Sequence, residues 1–359
     1  MKLIIVGKND AGQRLDKLLA KHLKKAPKSF LYKMLRKKNI TLNGKKADGS
    51  ERTEIGDEIK LFLSDATIAE FSEDAPAAVP AAKAGESLSI LYEDEDVVFI
   101  NKPAGMLSQK AERSDVSLVE YLLSYLLESG SLTEADLIGF RPGICNRLDR
   151  NTSGIVAAGK SLKGLQELSA AFQSRNLKKY YHCIVLGSIR QESRIDGWLV
   201  KDTAKNLVRV KAAPSPAKEG KSDSRSQSSG SARTAACTPT EEKESRILTE
   251  YRPLVTAKDY TLLEVHLITG KTHQIRAHLA SIGHPLIGDD KYGNRVRNRY
   301  FKEQFGLNCQ LLHAARLEFP KDFPLSTLSG RIIRAEEPEL FLRIRRELFD
   351  ETNSGTDKA

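Results

Sequence analysis

The run Asn146-Arg147-Leu148-Asp149-Arg150-Asn151-Thr152-Ser153-Gly154 sets one carboxylate, Asp149, in a polar stretch. A carboxylate of this kind can attack an electron-poor carbon and hold it covalently, or take a proton from a neighbouring carbon. Read alone, the same run is also a surface turn, because Asn151 and Ser153 are turn formers.

The run overlaps a second chemical signature. Gly154-Ile155-Val156-Ala157-Ala158-Gly159-Lys160-Ser161 fits the phosphate-cradling pattern G-x-x-x-x-G-K-[ST] at every position. The context opposes that reading. A P-loop follows a buried strand, yet the ten residues before Gly154 are mostly polar, and the apolar residues sit inside the pattern. β-branched Ile155 and Val156 suit a strand better than a loop of exposed backbone N–H groups. A P-loop NTPase is kept only as an alternative. Other chemistry has less support. Cys145, Cys183, Cys237 and Cys309 form no Cys-x-x-Cys pair and no disulfide framework, and His273 and His278 are five apart, the wrong spacing for a helical zinc pair. No metal site is expected.

The elements that must position these residues fall into separate segments. Of 359 residues, 40% are hydrophobic and 29% charged, ordinary for a globular protein and enough for two or three domains. No apolar run approaches the ~20 residues that span a bilayer, so a cytoplasmic protein without membrane contact is expected. The net charge is +10, and residues 1–60 alone hold 16 Lys/Arg against 7 Asp/Glu. That concentration is the footprint of a nucleic-acid-binding module. Residues 1–65 read as that module. A helix opens at Arg14 with Leu15, Leu18, Leu19 and Leu23 on one face; a second follows Pro27 with Ser29 as N-cap and Phe30, Leu31, Met34 and Leu35 as its stripe. Ile40–Leu42 and Glu58–Leu63 read as strands, with Asn43-Gly44 as a tight turn. Arg14, Lys17, Lys28, Ser29, Lys33, Arg36, Lys37 and Lys38 are the candidate RNA contacts.

Residues 66–87, rich in Ala, Pro and Glu, read as a semi-stiff linker. Residues 88–349 form the main domain. Strands are expected at 89–92, 97–100, 154–158, 180–186, 260–268 and 311–319, and helices at 118–127, around Leu162–Phe172, and near 340–349. The mixture lacks a β-α-β rhythm and predicts an α+β fold. The Ser/Ala/Lys/Gly-rich stretch 213–244 reads as a flexible insertion and 350–359 as a disordered tail.

Several of these segments resemble one family. The run around Asp149 is similar to the catalytic motif of the RluA-type pseudouridine synthases. Val98-Phe99-Ile100-Asn101-Lys102-Pro103-Ala104-Gly105 resembles that family's first motif, and Lys179-Tyr180-Tyr181-His182 the strand bearing its tyrosine. Ile268 to Leu279 resembles the motif bearing its arginine. Gly283-His284-Pro285-Leu286-Ile287-Gly288-Asp289 and Leu312-His313-Ala314 also match, all in family order. The first module resembles an S4 RNA-binding domain; its Pro27-Lys28-Ser29 and Leu35-Arg36-Lys37 runs are most similar to the branch that modifies large-subunit ribosomal RNA.

The resemblance implies a mixed, mainly antiparallel central sheet with flanking helices, beside a small α/β S4-like domain. It implies a uridine-to-pseudouridine isomerase with Asp149 as nucleophile, Tyr181 stacked under the uracil and Arg276 as counter-charge. Tyr180 and Tyr181 alternate on a strand, so only one can face the site. Pseudouridine formation exchanges an N1–C1′ bond for a C5–C1′ bond without redox change, so no cofactor is expected. The target base must leave its stack, and Arg147 is the candidate to fill the gap. Lys102 and His273 are read as structural or RNA contacts. Ribosomal RNA is the expected partner, transfer RNA the other candidate, and a monomer the expected state. Two positions depart from the pattern: Asn146 where the family has His, and Lys271 where it has Arg. A non-catalytic RNA-binding or ribosome-assembly protein is the competing class.

Overall fold

The computed structural model describes residues 1–72, 87–112, 114–134, 136–202, 207–212 and 244–350. The first residues form β1 (Lys2–Ile5), α1 (Leu15–His22), α2 (Lys28–Arg36), β2 (Ile40–Leu42), β3 (Lys45–Lys46), β4 (Glu58–Leu61) and α3 (Asp65–Phe71). Next come β5 (Ile90–Glu93), β6 (Val97–Lys102), α4 (Leu118–Glu128), α5 (Asp136–Gly139), β7 (Gly143–Ile144), β8 (Ser153–Gly159) and α6 (Leu162–Ser174). Then follow β9 (Lys178–Leu186), β10 (Ser193–Asp202), β11 (Leu207–Ala212), β12 (Ser245–Thr256), β13 (Tyr260–Leu267), α7 (Gln274–Ser281) and α8 (Arg295–Phe305). The chain ends with β14 (Leu312–Glu318), β15 (Ile332–Arg334) and α9 (Glu339–Phe349). Two compact units result: Met1–Leu177 with Ala314–Glu336, and Lys178–His313 with the chain from Glu337 onward. Among the described residues no helix is long and apolar enough to cross a membrane.

In the basic module, β1, β4, β2 and β3 make an antiparallel sheet in that order. Leu15, Leu18 and Leu19 of α1 and Leu31, Met34 and Leu35 of α2 close its core against Ile40, Ile59 and Leu61, the apolar stripes read from the sequence. Asn43 (φ 50°) and Gly44 (φ 72°) make the left-handed turn between β2 and β3. Two expectations change. Pro27, not Ser29, is the N-cap residue of α2, and Ser29 lies in the first turn. The stretch read as linker from residue 66 begins as helix: the Ser64 hydroxyl accepts from Thr67 N (3.2 Å) and caps α3, and Phe71 packs on Phe30 with ring centroids 4.5 Å apart. The Ala-rich composition hid Ile68 and Phe71, whose apolar surface holds the helix to the module. The rest of that stretch, 73–86, lies outside the described residues, as do 213–243 of the insertion and the tail 351–359.

The rest of the first unit holds an antiparallel arrangement of β5, β6 and β8, with β7 on β8, β14 beside β8 and β15 on β14. Val97, Phe99, Ile155, Ala157, Leu168 and Phe319 share its core. The P-loop string is thereby settled: Gly154–Gly159 is a fully buried strand paired along β6, and Lys160 is an ion-pair partner of Glu93 (2.5 Å). Gly154 (φ +110°) has a stricter reason to be glycine. A Cβ there would lie 2.3 Å from Ala314 O and 2.6 Å from Ala314 N, both backbone atoms. Gly154→Ala is expected to destabilise by at least about 2 kcal/mol, from close contact plus positive-φ strain. A lowered urea midpoint is the readout; an unchanged midpoint contradicts this strand spacing.

The second unit is built on an antiparallel sheet in the order β11-β10-β12-β13-β9. One face carries Ile184 and Leu262 in a core with Phe301 of α8 and Phe341 and Ile344 of α9. On the other, Ile247 and Leu199 meet Ala277 of α7.

Candidate active site

Asp149 lies in the loop between β7 and β8, half-buried. The loop is held from several sides. Lys102, fully buried at the end of β6, donates through Nζ to the carbonyls of Pro103 (2.8 Å), Met106 (2.9 Å) and Arg150 (3.1 Å). The Gly105 N–H also donates to Arg150 O (2.9 Å), and Arg150 Nε returns a bond to Gly105 O (3.1 Å). Ser108 Oγ donates to Leu148 O (2.8 Å) and accepts from Leu148 N (3.1 Å). Thr152 N donates to Asp149 O (3.0 Å), closing the turn. Lys102 therefore ties the first motif to the Asp149 run, one of the two roles, structural or RNA contact, read for it.

Asn146 acquires a physical reading here. Its Nδ2 donates to Ile155 O (3.2 Å) and its Oδ1 accepts from Ala157 N (2.8 Å), so its amide continues the ladder along β8. This needs a donor and an acceptor on one short side chain, which an amide supplies. Arg147 is exposed beside the loop, 3.5 Å from Gln109 Oε1 through Nη1. The thiol of Cys145 is pushed up to about 11, chiefly by burial, which makes it a poor nucleophile.

Tyr181 and Arg276 belong to the second unit. Strand alternation separates the two tyrosines as expected. Tyr180 stacks on His266 across β13 (centroids 4.8 Å apart), whereas Tyr181 is buried on the opposite face, level with Val265. That opposite face is the one that α7, with Arg276, packs against: His278 Nδ1 and Thr249 Oγ1 are 2.8 Å apart. Gln274 opens α7 by bonding Leu248 O and Thr249 Oγ1 (both 3.0 Å), with Thr269 Oγ1 donating to its Oε1 (2.9 Å). Lys271 is exposed before the helix.

The sequence reading missed the partner of Arg276. Its Nε and Nη2 donate to Asp289 Oδ2 (2.7 Å) and Oδ1 (2.8 Å), a bidentate pair in which the carboxylate is fully buried. Burial pushes the Asp289 pKa up, but the Arg276 hydrogen bonds and charge and the N–H groups of Tyr292 and Lys291 outweigh it, leaving it below the ordinary value. The Arg276 guanidinium also lies 5.3 Å from the Tyr292 ring centroid, and the Tyr292 hydroxyl meets His273 Nδ1 (3.1 Å) and accepts from Val208 N (3.0 Å). The signal was present in Gly288-Asp289-Asp290-Lys291-Tyr292-Gly293, an acidic pair bracketed by glycines. Both glycines are needed by close approach: a Cβ would meet Cys309 O at Gly288 and Asp289 O at Gly293, each at 2.2 Å.

The candidate RNA contacts are all exposed: Arg14 at the N-cap of α1, Lys17 on α1, Lys28, Ser29, Lys33 and Arg36 on α2, and Lys37 and Lys38 in the turn after it. Arg14 is paired with Asp16 (3.1 Å). Among the described residues no group of three His, Cys, Asp or Glu side chains could hold a metal ion.

His278 supplies a pH test of this unit. Its ring is fully buried, Nε2 has no hydrogen-bond partner among the described residues, and its pKa is lowered to about 4, mainly by burial. The unfolded value is 6.5. Between the two the unfolded chain binds the extra proton, so stability falls as pH drops from 6.5 toward 4. The slope is at most about 1.4 kcal/mol per pH unit for this residue. His278→Gln should flatten the urea-midpoint profile over that window; an unchanged profile removes His278 as the source.

A family model described as RNA pseudouridylate synthase matches residues 96–281, and one described as S4 domain matches residues 13–59. The chain is similar to ribosomal large subunit pseudouridine synthase C of Vibrio cholerae, 29% identical over 321 residues and 89% of each chain. It is 29% identical to the protein of the same name from Escherichia coli K12 over 343 residues, 94% of this chain and 93% of that one. Among solved structures it resembles human RNA pseudouridylate synthase domain containing 4, with TM-score 0.54 and 22% identity over 72% of this chain and 92% of that one, a likeness of fold.

Proposed function

The chain belongs to the RNA pseudouridylate synthase family, and we propose that it isomerises particular uridines of large-subunit ribosomal RNA, with Asp149 as the nucleophile. The observation that carries the substrate is the similarity, over 94% of the chain, to a protein named for the large ribosomal subunit. It spans both the catalytic region and the S4 module.

In this reading the target uridine leaves its stack and Asp149 meets the ribose at C1′. The carboxylate either attacks C1′ as the N1 bond breaks, or takes the C2′ proton to give a glycal. The freed uracil turns on Tyr181 and C5 bonds to C1′ as the Asp149–C1′ bond breaks, or, from the glycal, as C2′ takes back its proton; the C5 proton then leaves by way of the Tyr181 hydroxyl while N1 takes one up, so the isomerisation balances. Arg276 supplies the positive charge that favours the ionised carboxylate. Arg147 grips the backbone or fills the gap in the stack. The exposed cations of α1 and α2 hold phosphates, which orient the RNA but carry little sequence information. The protein acts as a monomer in the cytoplasm and uses no cofactor.

Mapping pseudouridine across total RNA from cells with and without this gene tests the reading. Loss of one or a few sites in large-subunit RNA is expected. Loss confined to transfer RNA overturns the substrate, and no lost site overturns the activity.

A further inference from the structure

Helix α8 (Arg295–Phe305) was not anticipated and has no part in the chemistry above. Its sequence is Arg-Val-Arg-Asn-Arg-Tyr-Phe-Lys-Glu-Gln-Phe, with no acidic residue in the first turn. Helix N-termini favour negative charge, so Arg295 and Arg297 sit against the dipole. Arg295 and Arg299 are four apart, and Arg299 and Lys302 three apart, spacings at which like charges repel. The three lie on one exposed stripe flanked by Val296 (79% exposed) and Tyr300 (49% exposed).

The other cations of this unit show what is unusual. Arg252 pairs with Glu264 (2.8 Å), Arg246 with Asp196 (2.6 Å) and Arg345 with Glu337 (3.1 Å). On α8 itself, Arg297 faces Asp259 (3.9 Å) and the Tyr260 ring. Arg295, Arg299 and Lys302 make no ion pair or side-chain hydrogen bond among the described residues, even though Glu303 lies one turn from Arg299.

The helix is nevertheless firmly held. Asn294 Oδ1 caps it through Val296 N (3.0 Å) and Arg297 N (3.1 Å). Phe301 is fully buried, edge-on to Tyr260. Asn298 Oδ1 accepts from Gly288 N and its Nδ2 donates to Asp289 O, both 2.9 Å. The helix is thus bonded directly to the loop whose Asp289 holds Arg276.

We propose that the outward stripe of α8, Arg295, Arg299 and Lys302, is a second RNA-backbone site, separate from the S4 module. Three unpaired cations on a rigid helix match the charge of successive phosphates, and the repulsion among them is relieved when an anion docks. The loop bonds made by Asn298 tie that grip to the Asp289–Arg276 pair. The partner rests on the proposed RNA-modifying function.

The test compares the full-length wild type, Arg295→Gln/Arg299→Gln/Lys302→Gln, and Arg295→Lys/Arg299→Lys. Binding and turnover are measured on large-subunit ribosomal RNA from cells lacking the gene. The Gln variant should raise KM about tenfold or more and leave kcat at saturating RNA unchanged. Its slope of log affinity against log salt should be shallower by about 2–3, the loss of three phosphate contacts. Its Tm should hold or rise, because like charges are removed, and the Lys variant should restore binding. An unchanged KM and salt slope in an active enzyme overturns the α8 site. An inactive wild type counts against the proposed function instead, while the salt slope of binding still decides the site.

Discussion

Asp149→Ala is expected to lower pseudouridine formation by at least about 10⁴-fold in single-turnover rate while the protein keeps its fold and most of its RNA affinity. The first half follows if this carboxylate is the group that meets the ribose, since alanine offers neither nucleophile nor base in its place. The second half follows from how the loop is built. Its shape is set by Lys102 on three carbonyls, by Ser108 on both backbone groups of Leu148, and by Thr152 N on the Asp149 carbonyl. These bonds do not pass through the Asp149 carboxylate and are retained when the side chain is cut back to Cβ. Pseudouridine is read on ribosomal RNA from cells lacking the gene, with binding measured in parallel. Residual activity within tenfold of wild type would remove Asp149 as nucleophile. Loss of binding and of Tm together would show the side chain to be structural.

Local pattern carried much of the reading, and its failures have physical causes. Strand β8 was visible because Ile155 to Ala158 is a continuous apolar run, and the separation of Tyr180 from Tyr181 followed from strand alternation alone. The P-loop string was a coincidence of residue types that the preceding polar residues exposed. Helix α3 was missed because Ala and Glu around residue 70 look like linker, while its anchor is a contact between Phe71 and Phe30, far apart in sequence. Strands β10 to β12 went unread because the insertion separates β12 from its partner β10, and because charged residues such as Arg194, Asp196, Arg209 and Lys211 thin the apolar pattern of β10 and β11. Helix α8 was hidden by its own charge: apart from Phe301 and Phe305, its apolar stripe is thin. Asn146 looked like a departure from pattern, and only its two bonds to β8 show it to be a built part of the loop. The acidic pair Asp289-Asp290 between two glycines was visible in the sequence, but that one of them is the partner of Arg276 depended on which carboxylate the fold brings near.

Asp289→Ala is expected to cost about 3–5 kcal/mol of stability, as breaking a buried ion pair from one side does. The carboxylate accepts from Arg276 Nε and Nη2 and from the N–H groups of Lys291 (2.9 Å) and Tyr292 (3.0 Å). Removing it strips a nearly buried guanidinium of this partner and leaves two backbone donors to find others. Asp289→Asn retains one acceptor oxygen but turns an NH₂ group toward the guanidinium, so it should recover only part of the loss. Because the folded-state pKa is lowered, the pair's stabilisation is present above the unfolded carboxylate value and fades as pH falls through the lower folded one. The urea midpoint at neutral pH, repeated toward pH 3, reads both effects: the wild-type advantage over Asp289→Ala should shrink in acid. A constant gap would mean that cavity formation, not charge, dominates. The same loop is bonded to α8 through Asn298, so a variant that stays folded at low temperature should also bind RNA with a shallower salt slope. An unaltered slope there would uncouple the helix from the Arg276 pair and leave the loop a purely structural brace.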